Sequence, residues 1–84
     1  MCSNVVRYPE FIAPAVRIRR TGQIVLLLEW ERNDRGLWRG HVAWLSRPQV
    51  AWRGVDVWMP AEDLERIEGQ DYRRVPKRIE EPPF

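Results

Sequence analysis

Apolar and polar residues alternate along much of this chain with a period of two. Val16 and Ile18 alternate with Arg17 and Arg19, the pattern of a half-buried strand. Thr21-Gly22-Gln23 then predicts a short turn into a second strand, Ile24-Val25-Leu26-Leu27-Leu28-Glu29-Trp30-Glu31. Asn33-Asp34-Arg35-Gly36 is a turn signal in which Gly36 is free to take positive φ. A third strand is expected from Leu37 to about Ser46, broken by Arg47-Pro48-Gln49, and a fourth from about Val50 to Met59. Short strands separated by turns near residues 22, 34 and 48 predict a small barrel or sandwich. Pro60 through Gly69 opens with proline and acids and ends in glycine. It reads either as a short helix or as one helical turn near residues 60–65 that leads into a brief last strand through Leu64 to Ile67.

The flanks read differently. Val5 to Pro14 has two prolines and no helical period, so residues 1–14 are expected to be extended, and Val5 to Ile12 is a candidate lid for an apolar sheet face. Residues 69–84 form a basic, proline-containing segment with little to pack except Tyr72, Val75, Ile79 and Phe84, so the default is a mobile tail. The folded unit is accordingly placed at residues 15–68.

One phrase occurs twice. Trp38-Arg39-Gly40-His41-Val42-Ala43-Trp44 and Trp52-Arg53-Gly54-Val55-Asp56-Val57-Trp58 both read W-R-G-x-x-x-W. If the two strands pair about Pro48, Trp44 faces Trp52 and Trp38 faces Trp58, and all four indoles share one face. A one-residue slip would divide them between faces. Trp30 shares strand parity with Leu26 and Leu28 and is expected in the core, and Trp38 and Trp44 share parity with Val42.

Gly36-Leu37-Trp38-Arg39-Gly40 resembles the G-W-W-x-G strand of SH3 domains. Trp58-Met59-Pro60-Ala61-Glu62-Asp63-Leu64-Glu65-Arg66-Ile67 resembles their closing aromatic-x-Pro turn and last strand, and Trp38-x-x-x-Val42 after a short hairpin is similar to Tudor-type barrels. The resemblance implies an all-β, SH3-like barrel of about five antiparallel strands over residues 15–68. It also implies that Met59 lies inside and Trp58 outside, against the four-indole ladder. Leu37 stands where the peptide groove of an SH3 domain has its first tryptophan, and Asp63 stands where its closing tyrosine belongs. The resemblance is therefore to the Tudor type rather than to the peptide-binding SH3 type, and it implies binding of a protein tail or nucleic acid through aromatics.

Composition narrows the function. The 84 residues allow one domain, and five tryptophans supply large apolar side chains to a core that small. One Cys and one His leave no basis for a metal cluster, a disulfide framework or a cofactor motif. Cys2 has no partner and the chain start has no signal-peptide apolar core, which predicts a cytoplasmic setting; no apolar run is long enough to span a membrane. Asp56, Glu62 and Asp63 lie close in sequence, but acid–base chemistry needs a desolvated pocket, so no enzyme is expected. Lys77 is the sole lysine, and a GC-rich bacterial genome would itself favour the many arginines.

Charge is uneven. Residues 1–23 hold four arginines against Glu10, residues 24–68 six arginines against eight acids, and residues 69–84 four basic against three acidic groups. A slightly acidic middle favours a protein partner over a phosphate backbone. The expectation is a non-catalytic protein-interaction module with Trp52 and Trp58 as anchors and Arg39 and Arg53 beside them. The alternative is nucleic-acid binding, with Arg17, Arg19 and Arg20 and the basic tail Arg73, Arg74, Lys77 and Arg78 holding phosphates while a Trp stacks on a base. A third reading is a homodimer joined through the second apolar face.

Overall fold

Leu27 and Val42 face each other on adjacent strands and have no solvent exposure at all. The core forms around this pair. The structure is a computed structural model and describes residues 12–79. Its strands are β1 (Ala15–Ile18), β2 (Ile24–Arg32), β3 (Trp38–Ser46), β4 (Arg53–Pro60), β5 (Leu64–Arg66) and β6 (Lys77–Ile79). A single 3-10 turn, Ala61–Asp63, joins β4 to β5, so the brief turn leading into a last strand is the form this segment takes. The protein is a small all-β domain with strand order β4-β3-β2-β1-β5, each neighbouring pair antiparallel.

Local chemistry sets the turns. Asn33 Oδ1 accepts hydrogen bonds from the backbone N–H of Arg35 at 2.9 Å and of Leu37 at 3.0 Å, while Gly36 takes φ of 77°. Between β1 and β2 the Gly22 N–H donates to the Ile18 carbonyl at 2.7 Å and the Ile18 N–H to that of Gln23 at 2.8 Å.

β2 is the central strand and changes phase at Leu28. Leu26 pairs with Ala43 and Leu27 with Val42, but the next pair is Glu29 with His41, so Leu28 is a bulge. Before it, Val25 and Leu27 point inward; after it, Trp30 does, packed against the core. Trp30 is thus inside as expected, but not for the expected reason: Leu26 faces outward and is 46% exposed.

The β3–β4 register differs from the ladder about Pro48. Trp44 pairs with Val55 rather than Trp52, and Trp58 pairs with His41 rather than Trp38, a shift of three residues. An odd shift exchanges the faces of β4. It sets Val55, Val57 and Met59 on the side of Val42 and Trp44 and turns Trp58 outward, and it leaves Trp52 in the loop. Burial explains the choice: Val57 and Met59 pack against the core, and indoles there would overfill it. Opposite Met59, Gly40 lets Trp30, Leu27 and Leu64 close in. A Cβ added there would lie 2.8 Å from Leu64 Cδ1 and 3.0 Å from Leu27 Cδ1.

The segment after Gln70 was expected to hang free; through Ile79 it is instead packed on the sheet. Val75 is buried with Val16, Ile18, Val25 and Leu64, and Tyr72 packs against them. β6 runs parallel to the second half of β2, pairing Trp30 with Lys77 and Arg32 with Ile79, and the Trp30 N–H donates to the Pro76 carbonyl at 2.8 Å. The sheet therefore has six strands, one of them parallel. Val75 and Tyr72 were too sparse to announce a strand, yet Val75 is part of the core and Tyr72 packs against it. Residues 1–11 of the expected extended segment, with Cys2 and the candidate lid as far as Phe11, lie outside the described residues. Among the described residues no helix is long and apolar enough to cross a membrane.

Candidate functional site

The outer face of β2, β3 and β4 carries a cluster of charged and aromatic side chains. The strand registers line up Glu29, His41 and Trp58 in one row and Glu31, Arg39 and Pro60 in the next. His41 stacks on Trp58 with ring centroids 4.6 Å apart and planes 13° from parallel. Arg39 lies over the same indole at 4.7 Å and Arg78, from β6, at 5.8 Å. Trp58 is therefore outward-facing but half-buried beneath a cationic roof.

Carboxylates fix that roof. Arg39 donates from Nε to Glu31 Oε1 at 2.7 Å and also through Nη2. Glu31 is buried, and Arg78 Nε reaches its other oxygen at 3.5 Å while Nη2 reaches Glu29 at 3.4 Å. A buried carboxylate held by two guanidinium groups avoids the cost of an unpaired charge. His41 meets Glu29 Oε2 at 3.2 Å through Nδ1 and Asp56 Oδ2 at 2.7 Å through Nε2. Only the imidazolium donates at both nitrogens. Burial opposes that charge most strongly, but hydrogen bonds to Asp56 and Glu29 and the charges of both carboxylates outweigh it, so the His41 pKa is raised. The two carboxylates bind opposite sides of the ring, so the three groups do not converge on one point as metal ligands would.

Next to this platform the face turns apolar. Leu26, Ala43 and Asp56 form one row and Leu45 pairs with Gly54. With Trp44 and Val55 they line a shallow depression of about 400 Å³. Leu26, Leu45 and Trp52 are 46%, 69% and 65% exposed.

The expected anchors separate. Trp58 and Arg39 come together, but both are held within the network above. Trp52 stands in the β3–β4 loop with Arg47 over its ring at 5.8 Å, and Arg53 is exposed at the start of β4 opposite Ser46. Asp56 lies on the outer face of β4, whereas Glu62 and Asp63 belong to the 3-10 turn. Among the alternative basic set, Arg17 and Arg19 share Glu65 at 3.0 and 3.3 Å. Arg73 grips Asp71 at 3.0 Å, and its hydrogen bonds hold that carboxyl at a pKa of about 2. Arg20 and Arg74 are exposed.

Sequence reasoning missed Glu29, Glu31, His41, Asp56 and Arg78 as one cluster. Alternate acids on β2 and alternate bases on β3 were a visible signal. Aligning them required the bulge at Leu28, and Arg78 came from the supposed tail. Comparison of the chain with protein-family models, with curated proteins and with solved structures finds no match.

Proposed function

We propose that this chain is a non-catalytic interaction module, an SH3-like barrel of Tudor rather than peptide-binding type, that docks a partner protein on the outer face of β2, β3 and β4. The strand order β4-β3-β2-β1-β5 with a 3-10 turn before β5 supports the barrel reading. The observation that carries the function is the exposed Leu26 and Leu45 beside the Trp58 platform, with the exposed indole of Trp52 in the loop before β4. Exposed apolar surface with a polar margin is the common form of a protein-docking site. Trp52 is the inserting anchor in this reading. Arg53 lies next to it in sequence, and Arg39 and Trp58 form the ordered border. The lone Cys2 suits a reducing, cytoplasmic setting.

The test is capture of partners from nuclease-treated native extract by the parent chain and by the Trp52→Ala/Leu45→Asp variant. A protein retained by the parent and lost by the variant supports the reading. A protein retained equally by both, or loss of every partner on nuclease treatment, overturns it.

A further inference from the structure

On the side of the domain away from that strip, β1, β5 and the segment leading into β6 enclose a concavity of about 590 Å³. Trp30 and Tyr72 line it together with Arg19, Glu65, Arg66 and Lys77. A second concavity of about 290 Å³ shares Trp30, Ala61, Arg66 and Lys77 with the first and continues to Trp38. Ala61, on the 3-10 turn, lines both, so the two adjoin along Trp30, Arg66 and Lys77. The result is one trough with Trp38 at one end and Tyr72 at the other.

The trough combines planar faces with positive charge. Arg19, Arg66 and Lys77 line it, and its one acid, Glu65, already has its oxygens occupied by Arg17 and Arg19. Arg66 stands over the Tyr72 ring at 5.9 Å and Arg32 over Trp38 at 5.7 Å, so cations and rings sit side by side. Tyr72 is fixed: its hydroxyl donates to the Ala15 carbonyl at 2.6 Å and accepts from the Ile67 N–H at 2.9 Å. A ring held in this way offers a stacking surface without further ordering on binding.

We infer that this trough binds single-stranded nucleic acid, with bases laid on Trp30, Trp38 and Tyr72 and phosphates held by Arg19, Arg66 and Lys77. Alternating base planes and phosphates match alternating rings and cations. An acidic peptide would satisfy the cations and leave the rings unmatched, and a duplex hides its base faces. Of the basic set read from the sequence only Arg19 and Lys77 line it; Arg17, Arg20, Arg73, Arg74 and Arg78 do not, and Arg66, Trp30 and Trp38 join it.

The experiment is fluorescence anisotropy of a labelled oligothymidylate of about 12 nucleotides, a typical site size for small barrels. It is titrated with the full chain and with variants checked by circular dichroism. Three phosphate contacts predict an affinity loss of about 20-fold between 50 and 200 mM salt. Arg66→Glu/Lys77→Glu, both exposed positions, is expected to lower affinity at least about 10-fold, and Trp38→Ala about 5-fold or more. Arg47→Glu/Arg53→Glu, the same change in net charge at the far hairpin, is expected to leave binding unchanged. No binding at 50 mM salt, an equal loss in the Arg47/Arg53 variant, or equal competition by polyglutamate would each overturn the assignment. Trp52→Ala/Leu45→Asp is expected to bind the oligonucleotide normally, so this site and the protein-docking face fail separately.

Discussion

The Tyr72 hydroxyl donates a 2.6 Å hydrogen bond to the carbonyl of Ala15, fifty-seven residues earlier in the chain, and accepts one from the Ile67 N–H. One phenol thereby ties β1, the exit from β5 and the approach to β6. Tyr72→Phe removes both bonds while keeping the ring, and is expected to destabilise the domain by about 1–3 kcal/mol. Thermal unfolding of a domain this size should register each kcal/mol as a fall of about 4–8 °C. An unchanged melting temperature would show that the C-terminal segment is held by its apolar contacts and the pairing of β6 with β2.

Gly40→Ala tests the close approach of β3 to the core. The added methyl meets Leu64, Leu27 and Trp30 within 3.1 Å, and Leu27 is fully buried and has nowhere to retreat. A loss of about 1–3 kcal/mol in denaturant unfolding is expected from overpacking. Gain of stability would mean that the three side chains move aside together.

His41 makes stability depend on pH. Its folded pKa lies above the unfolded value of about 6.5, so the stabilisation is complete below that pH. It is lost as pH rises through the folded pKa, when the imidazolium gives up one of its two donors. The groups facing the ring are Glu29 and Asp56, with Trp58 stacked beneath and Glu31, Arg39 and Arg78 beyond. Melting temperatures between pH 5.5 and 8.5 should fall with rising pH in the parent, and this slope should flatten in His41→Gln. An identical slope in both proteins would assign the dependence elsewhere.

The two outward tryptophans should behave oppositely on truncation. Trp58→Ala strips the platform from under His41, Arg39 and Arg78 and is expected to cost about 2 kcal/mol or more of stability. Trp52→Ala, 65% exposed in a loop, should stay within about 0.5 kcal/mol. Chemical denaturation of the two variants distinguishes a structural indole from a binding one.

Period-two alternation made the first four strands and their turns legible, because each strand buries one face against the same core. Pro60 and the acids after it announced a helical turn, and Leu64 beyond it the return strand. The register of β3 with β4 was not legible: a repeated W-R-G phrase suggested a symmetric hairpin, whereas the SH3-like resemblance implied the facing found, with Met59 inside and Trp58 outside. β6 was invisible for a different reason. Lys77, Arg78 and Ile79 are all exposed, so their pairing with β2 leaves no hydrophobic signature, and only Val75 and Tyr72 upstream are committed to the core. Of the outer platform, Trp58 and Arg39 could be named from sequence. Their carboxylate partners could not, because the extra residue at Leu28 decides which acids come alongside.

That extra residue also governs what the central strand is unable to do. A regular strand can slide by two residues along its neighbour and still present the same set of side chains, which is how mispaired and swapped assemblies begin. In β2 the alternation before Leu28 is out of step with the alternation after it. A slide of two residues that keeps the bulge opposite Val42 and His41 either turns Leu27 to the outer face or makes Trp30 the bulged residue. The bulge therefore acts as a pawl, which a slipping β2 passes only by carrying the extra residue along with it.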